Sequence, residues 1–198
     1  YKMIDYPEGA TPLDLDELAG LKFSHITTRG ELDHLEQANI QNGLRWLARL
    51  KNRDILNDQF ARKLHLQLFG EVWSWAGQYR LTEKNIGVDP LYISVKLREL
   101  LDNVQYWVDQ DTFNPKETAT RFHHQLVYIH PFPNGNGRHA RFYADALLEK
   151  LYSVDRIDWS GGYDLQQMNE RRQQYIHALR AADAGDYTSL FEFTGVDQ

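Results

Sequence analysis

The stretch His130-Pro131-Phe132-Pro133-Asn134-Gly135-Asn136-Gly137-Arg138-His139-Ala140-Arg141 brings a titratable base, a glycine-rich turn and two guanidiniums into one short segment. Pro131 disfavours α-helical backbone at His130, so a preceding helix has to end there and leave the imidazole free to reach a substrate. A neutral imidazole titrates near working pH, which suits a general base. Pro133-Asn134-Gly135 is turn chemistry: proline presets φ, while Asn and Gly tolerate positive φ. With no side chains at Gly135 and Gly137, successive backbone N–H groups can line a concave anion site. The helix expected next opens with Arg138, His139 and Arg141, cations at the wrong end of its macrodipole by ~0.3–1 kcal/mol each. An anion seated at that helix N-terminus removes the penalty. Arg138 and Arg141 are three apart, nearly on one face, and both can reach one polyphosphate. The segment therefore predicts a phosphate cradle beside a general base. The bland alternative is a glycine-rich helix connection with solvent-facing arginines, and it does not account for the residues on either side of the glycines.

Helical spacing dominates the elements that must position this loop. Leu32, Leu35, Ile40, Leu44, Leu47 and Leu50 form one stripe and predict a helix from Glu31 to Asn52. A second helix is expected from Asp54 to Trp75, stopping at Gly77 as a C′ residue. Pro90 and Pro115 bracket a third, with Leu97, Leu100, Leu101, Val104, Trp107 and Val108 on its apolar positions. Lys116 to Ile129, Asn136 to Leu151 and Asp164 to Ala182 read as three more, and a short helix follows Gly185. Between Arg80 and Ser94 the pattern changes. Asn85, Gly87 and Pro90 break any helix, while Ile86, Val88, Tyr92 and Ile93 favour extended backbone, which predicts a short hairpin or flap. The expected architecture is all-α, a helical bundle with one small β element. Trp46, Trp73, Trp75 and Trp107 read as core rather than as a stacking platform. His123, His124, His130 and His139 lack the four-residue spacing and carboxylate of a zinc site, and His123 or His124 is expected to pack or hydrogen-bond beneath the loop. Asp145, four residues after Arg141, is expected to form a helix ion pair with it.

Bulk composition narrows the classes. A chain of 198 residues, 42% hydrophobic and 25% charged, suits a single globular unit with a real core. No repeat or Ser/Gly linker marks a seam, so residues 1–30 are read as an N-terminal arm and residues 31–198 as one domain. No apolar run approaches the ~20 residues of a bilayer span, and no basic-plus-apolar leader is present. The absence of cysteine excludes disulfides and thiolate metal sites and fits a reducing, cytoplasmic setting. A net charge of −6 disfavours broad attraction to nucleic acid or anionic lipid, so a polyanion has to be held locally.

The segment from His130 to Arg141 resembles the signature of Fic-domain proteins, His-x-Phe-x-(Asp/Glu)-Gly-Asn-Gly-Arg-x-x-Arg. The resemblance extends to Gly77-Gln78-Tyr79-Arg80 with Lys84-Asn85-Ile86-Gly87, which is similar to the family's flap region. It extends also to Tyr175-Ile176-His177-Ala178-Leu179 through Ala184-Gly185-Asp186, similar to its closing helices. It covers about residues 30 to 195, and within the family the chain is most similar to the group called mobile mystery protein B. The resemblance implies an α-helical Fic fold and transfer of AMP from ATP to a Ser, Thr or Tyr hydroxyl of a target protein, with self-modification as one form of it. His130 would then deprotonate the hydroxyl, and Phe132 would anchor the loop in the core. Gly135, Asn136 and Gly137 would bind the α and β phosphates, Arg138 the β phosphate and Arg141 the γ phosphate. Lys84, Asn85, Ile86 and Gly87 would hold the target segment by main-chain pairing, and Tyr175 and Ile176 would contact adenine.

Two departures from the signature matter. Asn134 stands where the family usually carries the Asp or Glu that holds Mg2+; a neutral amide oxygen ligates a hard cation without adding charge. Thr27-Thr28-Arg29-Gly30-Glu31 resembles the family's inhibitory motif, broken by Leu32 at its last position, and implies that Glu31 restrains the site by pairing with Arg141. Glu36 is the fallback for that role. The same residues also spell a helix start, with Thr27 or Thr28 as N-cap and Glu31 as the capping-box partner. Competing functions are removal of AMP or transfer of another phosphate-containing group at the same site, and a catalytically weak nucleotide-binding regulator. Target, nucleotide preference and oligomeric state are not encoded in any motif.

Overall fold

Side chains that cap helix ends set most of the element boundaries. The computed structural model describes residues 9–161, 165–167 and 169–197, so Asp164, the expected start of one helix, and residues 1–8 of the arm lie outside the described residues. Asp14 and Glu17 form a capping box on the short helix α1 (Leu15–Leu18). Thr28 and Glu31 form another at the start of α2 (Arg29–Arg49). Asn57 caps α3 (Asp58–Phe69), and a 3-10 turn at Pro90–Tyr92 leads into α4 (Ile93–Asp109). Asn114 caps α5 (Pro115–Ile129), whose first residue is the proline that a helix start tolerates. Then follow α6 (Asn136–Leu147), continued by a π-helical turn at Leu148–Tyr152, α7 (Glu170–Asp183) and α8 (Thr188–Thr194).

The expected helix from Asp54 to Trp75 is shorter than its pattern. Asn57 starts it, and the chain leaves it at Gly70 to bury Val72 and Trp73. Gly77 does not cap this helix; its N–H donates to Nδ1 of His65 at 3.0 Å. Tertiary burial of the tryptophan overrides helical spacing here.

Helices α5 and α6, joined by the loop 130–135, pack against each other, with α4 and α8 against α5 and α3 against α6. Helix α2 packs on α3, and α7 on α8. Tyr143 of α6 stands at the centre. Its ring lies 5.3 Å from that of Phe60 and 4.8 Å from that of Phe122, and its hydroxyl donates to the Ile55 carbonyl. Trp73 is buried, and Trp46, Trp75 and Trp107 are partly buried against the same core, as their spacing predicted.

The expected hairpin does not form; among the described residues, 80–89 contain bends but no strand. The reason is Arg80. Its side chain is 2% exposed and fills the space between the flap and the end of α5. The guanidinium donates to the carbonyls of Thr82 (3.0 Å), Val88, Ile129 (3.2 Å) and His130. Carbonyls that a β ladder would have paired are satisfied by one side chain instead. Gly87 adopts φ +98°, and a Cβ there would come within 2.7 Å of both Arg80 Nη2 and His130 Cβ. Gly87→Ala is therefore expected to destabilise the fold by about 1–3 kcal/mol, measured by chemical denaturation; a change of only a few tenths would show that Arg80 is not confined by the flap backbone.

Five histidines, His65, His123, His124, His130 and His139, are buried, and burial drives each toward the neutral form. His139 is pushed down to about 4 and His130 to about 3. The unfolded chain protonates them near the ordinary value of ~6.5, so below that pH it binds more protons than the folded chain. Stability is then full above pH ~6.5 and is lost progressively as pH falls toward about 4 and about 3. Melting temperature measured from about pH 8 to about pH 4 should fall below pH ~6.5; a flat profile across that range would contradict neutral burial.

Candidate active site

The local sequence bends the chain twice to build the loop. His130 ends α5 in the left-handed region at φ +54°, where its carbonyl accepts from Arg80 and its N–H donates to the Leu126 carbonyl at 3.2 Å. Gly135 starts α6, also left-handed at φ +79°, and a Cβ on it would meet the Phe69 ring at 2.7 Å. Between them Phe132 is wholly buried, its ring stacked on His65 with centroids 3.9 Å apart. Asn136 clamps the loop across itself: Oδ1 accepts from Phe132 N–H at 2.9 Å, and Nδ2 donates to Phe132 O at 2.8 Å. Its side chain is thus committed to the loop, and only its backbone is left for a phosphate. No side chain caps the start of α6, and no acidic residue occupies its first turn. That end keeps its donors and its positive dipole for a ligand.

These residues share one cleft. His130, Asn134 to Arg138, Arg141, Tyr175, Ile176 and Ile86 line it, as do Glu36, Trp73 and Arg172, around roughly 960 Å3 of space that includes its open mouth. Arg141 is 8% exposed, its guanidinium carbon 5.4 Å from the Tyr175 ring centroid, with Nη1 donating to the Tyr175 hydroxyl at 3.3 Å. That hydroxyl pairs in turn with His123 Nε2 at 2.8 Å, so His123 does sit beneath the site. Among the described residues Arg141 has no carboxylate partner. A buried guanidinium without a counter-charge is expensive unless an anion supplies one.

Arg138 is different. Its guanidinium lies 4.8 Å over the Phe69 ring and donates to Oε2 of Glu36, while Oε1 of Glu36 accepts from Trp73 Nε1 at 3.0 Å. Burial opposes ionisation of Glu36, but Arg138 and the two hydrogen bonds outweigh it and hold the carboxyl below its usual value. Glu31, the first choice for a carboxylate facing the arginines, is not there. It is fully exposed at the start of α2, where Oε2 accepts from the N–H groups of Thr27 at 3.0 Å and Thr28 at 3.1 Å. The helix-start reading of Glu31 holds, because residue N3 of a helix points back along its own backbone rather than a turn further toward α6. Glu36 lies more than one turn along α2 and reaches Arg138, not Arg141.

His130 has both ring nitrogens buried and without a hydrogen-bond partner. Burial, then the charges of Arg80 and Lys84, push its pKa down to about 3, so it is neutral at neutral pH but well below the near-working-pH value expected of it from residue type alone. His139 is not a third cation of the helix start: it is buried and neutral, and Nε2 donates to the Ala61 carbonyl at 2.8 Å. Asp145 does not pair with Arg141 either. Its Oδ1 accepts from Ile157 N–H at 3.1 Å and Trp159 Nε1 at 3.0 Å, and burial raises its pKa to about 6.

The donor set does not suit a resident hard cation. Asn134 Oδ1 faces Arg138 Nη2 at 3.4 Å, and the lining carboxylate, Glu36, is held by Arg138 and Trp73. Among the described residues no cluster of three His, Asp or Glu side chains could hold a metal ion. Of the flap, Ile86 lines the cleft and Gly87 packs on Arg80 and His130. Lys84 turns away to Glu17 and to Asp14 at 3.9 Å, and Asn85 is exposed. His65 and Arg172 were not among the expected site residues. His65 Nε2 donates to the Asn134 carbonyl at 2.9 Å, and Arg172 donates to the Leu165 carbonyl at 2.5 Å. Neither lies within a sequence signature, and only tertiary contact brings His65 to the loop and Arg172 to the cleft.

The sequence pattern of the Fic/DOC family matches residues 55–148. The chain is 27% identical over 165 residues to protein adenylyltransferase fic-1 of Caenorhabditis elegans, covering 78% of this chain and 30% of that protein. It is 32% identical over 117 residues to the protein of that name from Caenorhabditis briggsae, covering 56% and 21%. The chain thus spans under a third of the length of these curated relatives. Among solved structures, BepC of Bartonella tribocorum with bound AMPPNP superposes with a TM-score of 0.69 at 16% identity, over 98% of this chain and 96% of that one. The fic-1 fragment of C. elegans does so at 0.68 and 23% identity, over 89% and 51%. Loop, helical frame and relatives agree: this chain carries a Fic/DOC family domain, matched over residues 55–148.

Proposed function

We propose that this protein is a protein adenylyltransferase that moves AMP from ATP to a Ser, Thr or Tyr hydroxyl of a target protein in the cytoplasm. The observation that carries the reading is Arg141, buried on α6 beyond its uncapped start, without a carboxylate partner among the described residues and in one cleft with Arg138 and His130. Such a site favours a polyphosphate beside a base. The adenylyltransferase names of the relatives support the same reaction. In it, N–H groups of Gly135 to Gly137 hold the α and β phosphates, and Arg138 and Arg141 hold the β and γ phosphates. Neutral His130 takes the hydroxyl proton as oxygen attacks the α phosphorus and pyrophosphate leaves. Tyr175 orients Arg141 and, with Ile176, borders the nucleotide base. Residues 84–87 guide the acceptor segment, residues 31–198 act as the catalytic unit, and within the family the chain groups with mobile mystery protein B.

Glu36 supplies the restraint that the sequence had suggested for Glu31. Its ion pair occupies Arg138, and nucleotide phosphates have to displace it before that guanidinium can bind them.

Incubating the pure protein and a lysate with ATP labelled at the α or γ phosphate separates the readings. α-Label on protein is expected, with a loss of ~10²–10⁴-fold in His130→Ala. γ-Label would favour phosphotransfer, release of AMP from modified protein the reverse reaction, and nucleotide binding without label a regulator. Glu36→Gly should raise α-labelling whereas Glu31→Gly should leave it unchanged; the opposite pattern would return the restraint to Glu31. Asn134→Asp adds a carboxylate beside the phosphates and should lower the Mg2+ concentration needed for half-maximal rate. Identical Mg2+ titrations of the unaltered protein and the Asn134→Asp variant would refute that role for the position.

A further inference from the structure

The arm ahead of α1 enters the cleft. Thr11 is 4% exposed, yet it lines the same space as His130, Gly135 to Gly137 and Arg141. Its Oγ1 is sealed from solvent and has no hydrogen-bond partner, as is the case for both ring nitrogens of His130. Buried hydroxyls are ordinarily satisfied, and one left bare calls for an explanation. Packing alone does not provide it, because an apolar side chain of the same shape would fill the space without the penalty.

The backbone around Thr11 is held on both sides. Asn134 Nδ2 donates to the Thr11 carbonyl at 3.4 Å, and Lys84 Nζ donates to the Pro12 carbonyl at 3.4 Å. Lys84 is closed over by Glu17, and Thr82 Oγ1 donates to Asp14 Oδ2 at 3.1 Å. Pro12 disfavours helical backbone at Thr11, and the arm crosses between signature loop and flap outside any helix. Asn134 gains a reason here as well. A carboxylate in its place has no proton to give the Thr11 carbonyl at neutral pH, whereas the amide has.

We propose that Thr11 is itself an acceptor, adenylylated in cis at this site. The inference rests on the transfer reaction proposed above and names one substrate for it. A His130 ring nitrogen takes the Thr11 Oγ1 proton, a bond forms from Oγ1 to the α phosphorus of ATP, and the bond from that phosphorus to the bridging oxygen breaks. Pyrophosphate departs, and His130 passes the proton to it or to water. Because arm and base belong to one chain, the step is unimolecular once ATP is bound. The Glu36–Arg138 pair has to open first, so the modification is slow in the unaltered protein.

The test uses the full chain carrying Glu36→Gly, α-labelled ATP and peptide mass spectrometry, at several protein concentrations. AMP on Thr11 is expected, with a half-time independent of protein concentration. Thr11→Ser should keep the label at that residue and Thr11→Val should lose it. Glu17→Gln, which frees the arm from Lys84, should lower labelling of Thr11 by roughly tenfold or more while proteins in a lysate are still labelled. Label on lysate proteins or at other residues with Thr11 bare overturns this inference and leaves the transfer reaction standing. A rate proportional to protein concentration overturns the cis geometry. No label on any protein overturns the transfer reaction and this inference together.

Discussion

The arrangement depends on one buried guanidinium that has carbonyls rather than a carboxylate for partners. Arg80 sits where α5 ends, and a helix end exposes carbonyls that the helix itself cannot satisfy. By donating to Ile129 and His130 on one side and to Thr82 and Val88 on the other, it joins the end of α5 to the flap. The left-handed backbone of His130 is held by this contact, and so is the direction in which the imidazole points. The positive charge it brings also helps keep His130 neutral. Backbone geometry and protonation state of the base thus share a cause.

A second constraint is electrostatic. The chain carries a net charge of −6, yet its cleft gathers Arg138, Arg141 and Arg172, beside an Arg29 that is paired with Asp33 at 3.0 Å. Like charges brought together in a partly dry cleft repel one another unless anions intervene. Glu36 answers part of that demand from within the chain, and Arg141 is left with the Tyr175 hydroxyl and ring. In the function proposed above, a nucleotide polyphosphate would offer more charge than one carboxylate and would compete with it for Arg138. Competition between an internal and an external anion for one guanidinium is a natural means of restraint, because strengthening either partner weakens the other.

The helices were legible because their signals are local. Apolar spacing and the cap Thr28 lie within a few residues of the ends they set, whereas Asn57 starts α3 later than its apolar pattern. The loop was legible for the same reason: proline, glycine and paired arginines constrain neighbouring backbone whatever packs around them. The hairpin was misread because its residues favour extended backbone, while the carbonyls they would have paired are taken by Arg80 from outside the strand. Asp145 was misread because a helix neighbour lost to two donors, Ile157 and Trp159, brought in by the chain beyond α6.

By itself, the sequence determined a helical frame, His130 at a helix end, and a glycine turn opening onto Arg138 and Arg141. Each follows from residues adjacent in the chain. Only the tertiary structure decided which carboxylate meets an arginine, since Glu31 and Glu36 differ by little more than one turn of α2 and face different surroundings. It also decided that His139 is a core residue, that His65 supports the loop and that Thr11 lines the same cleft as the base. Those relations join residues distant in the chain, and burial and hydrogen bonding fix them only once the helices have packed.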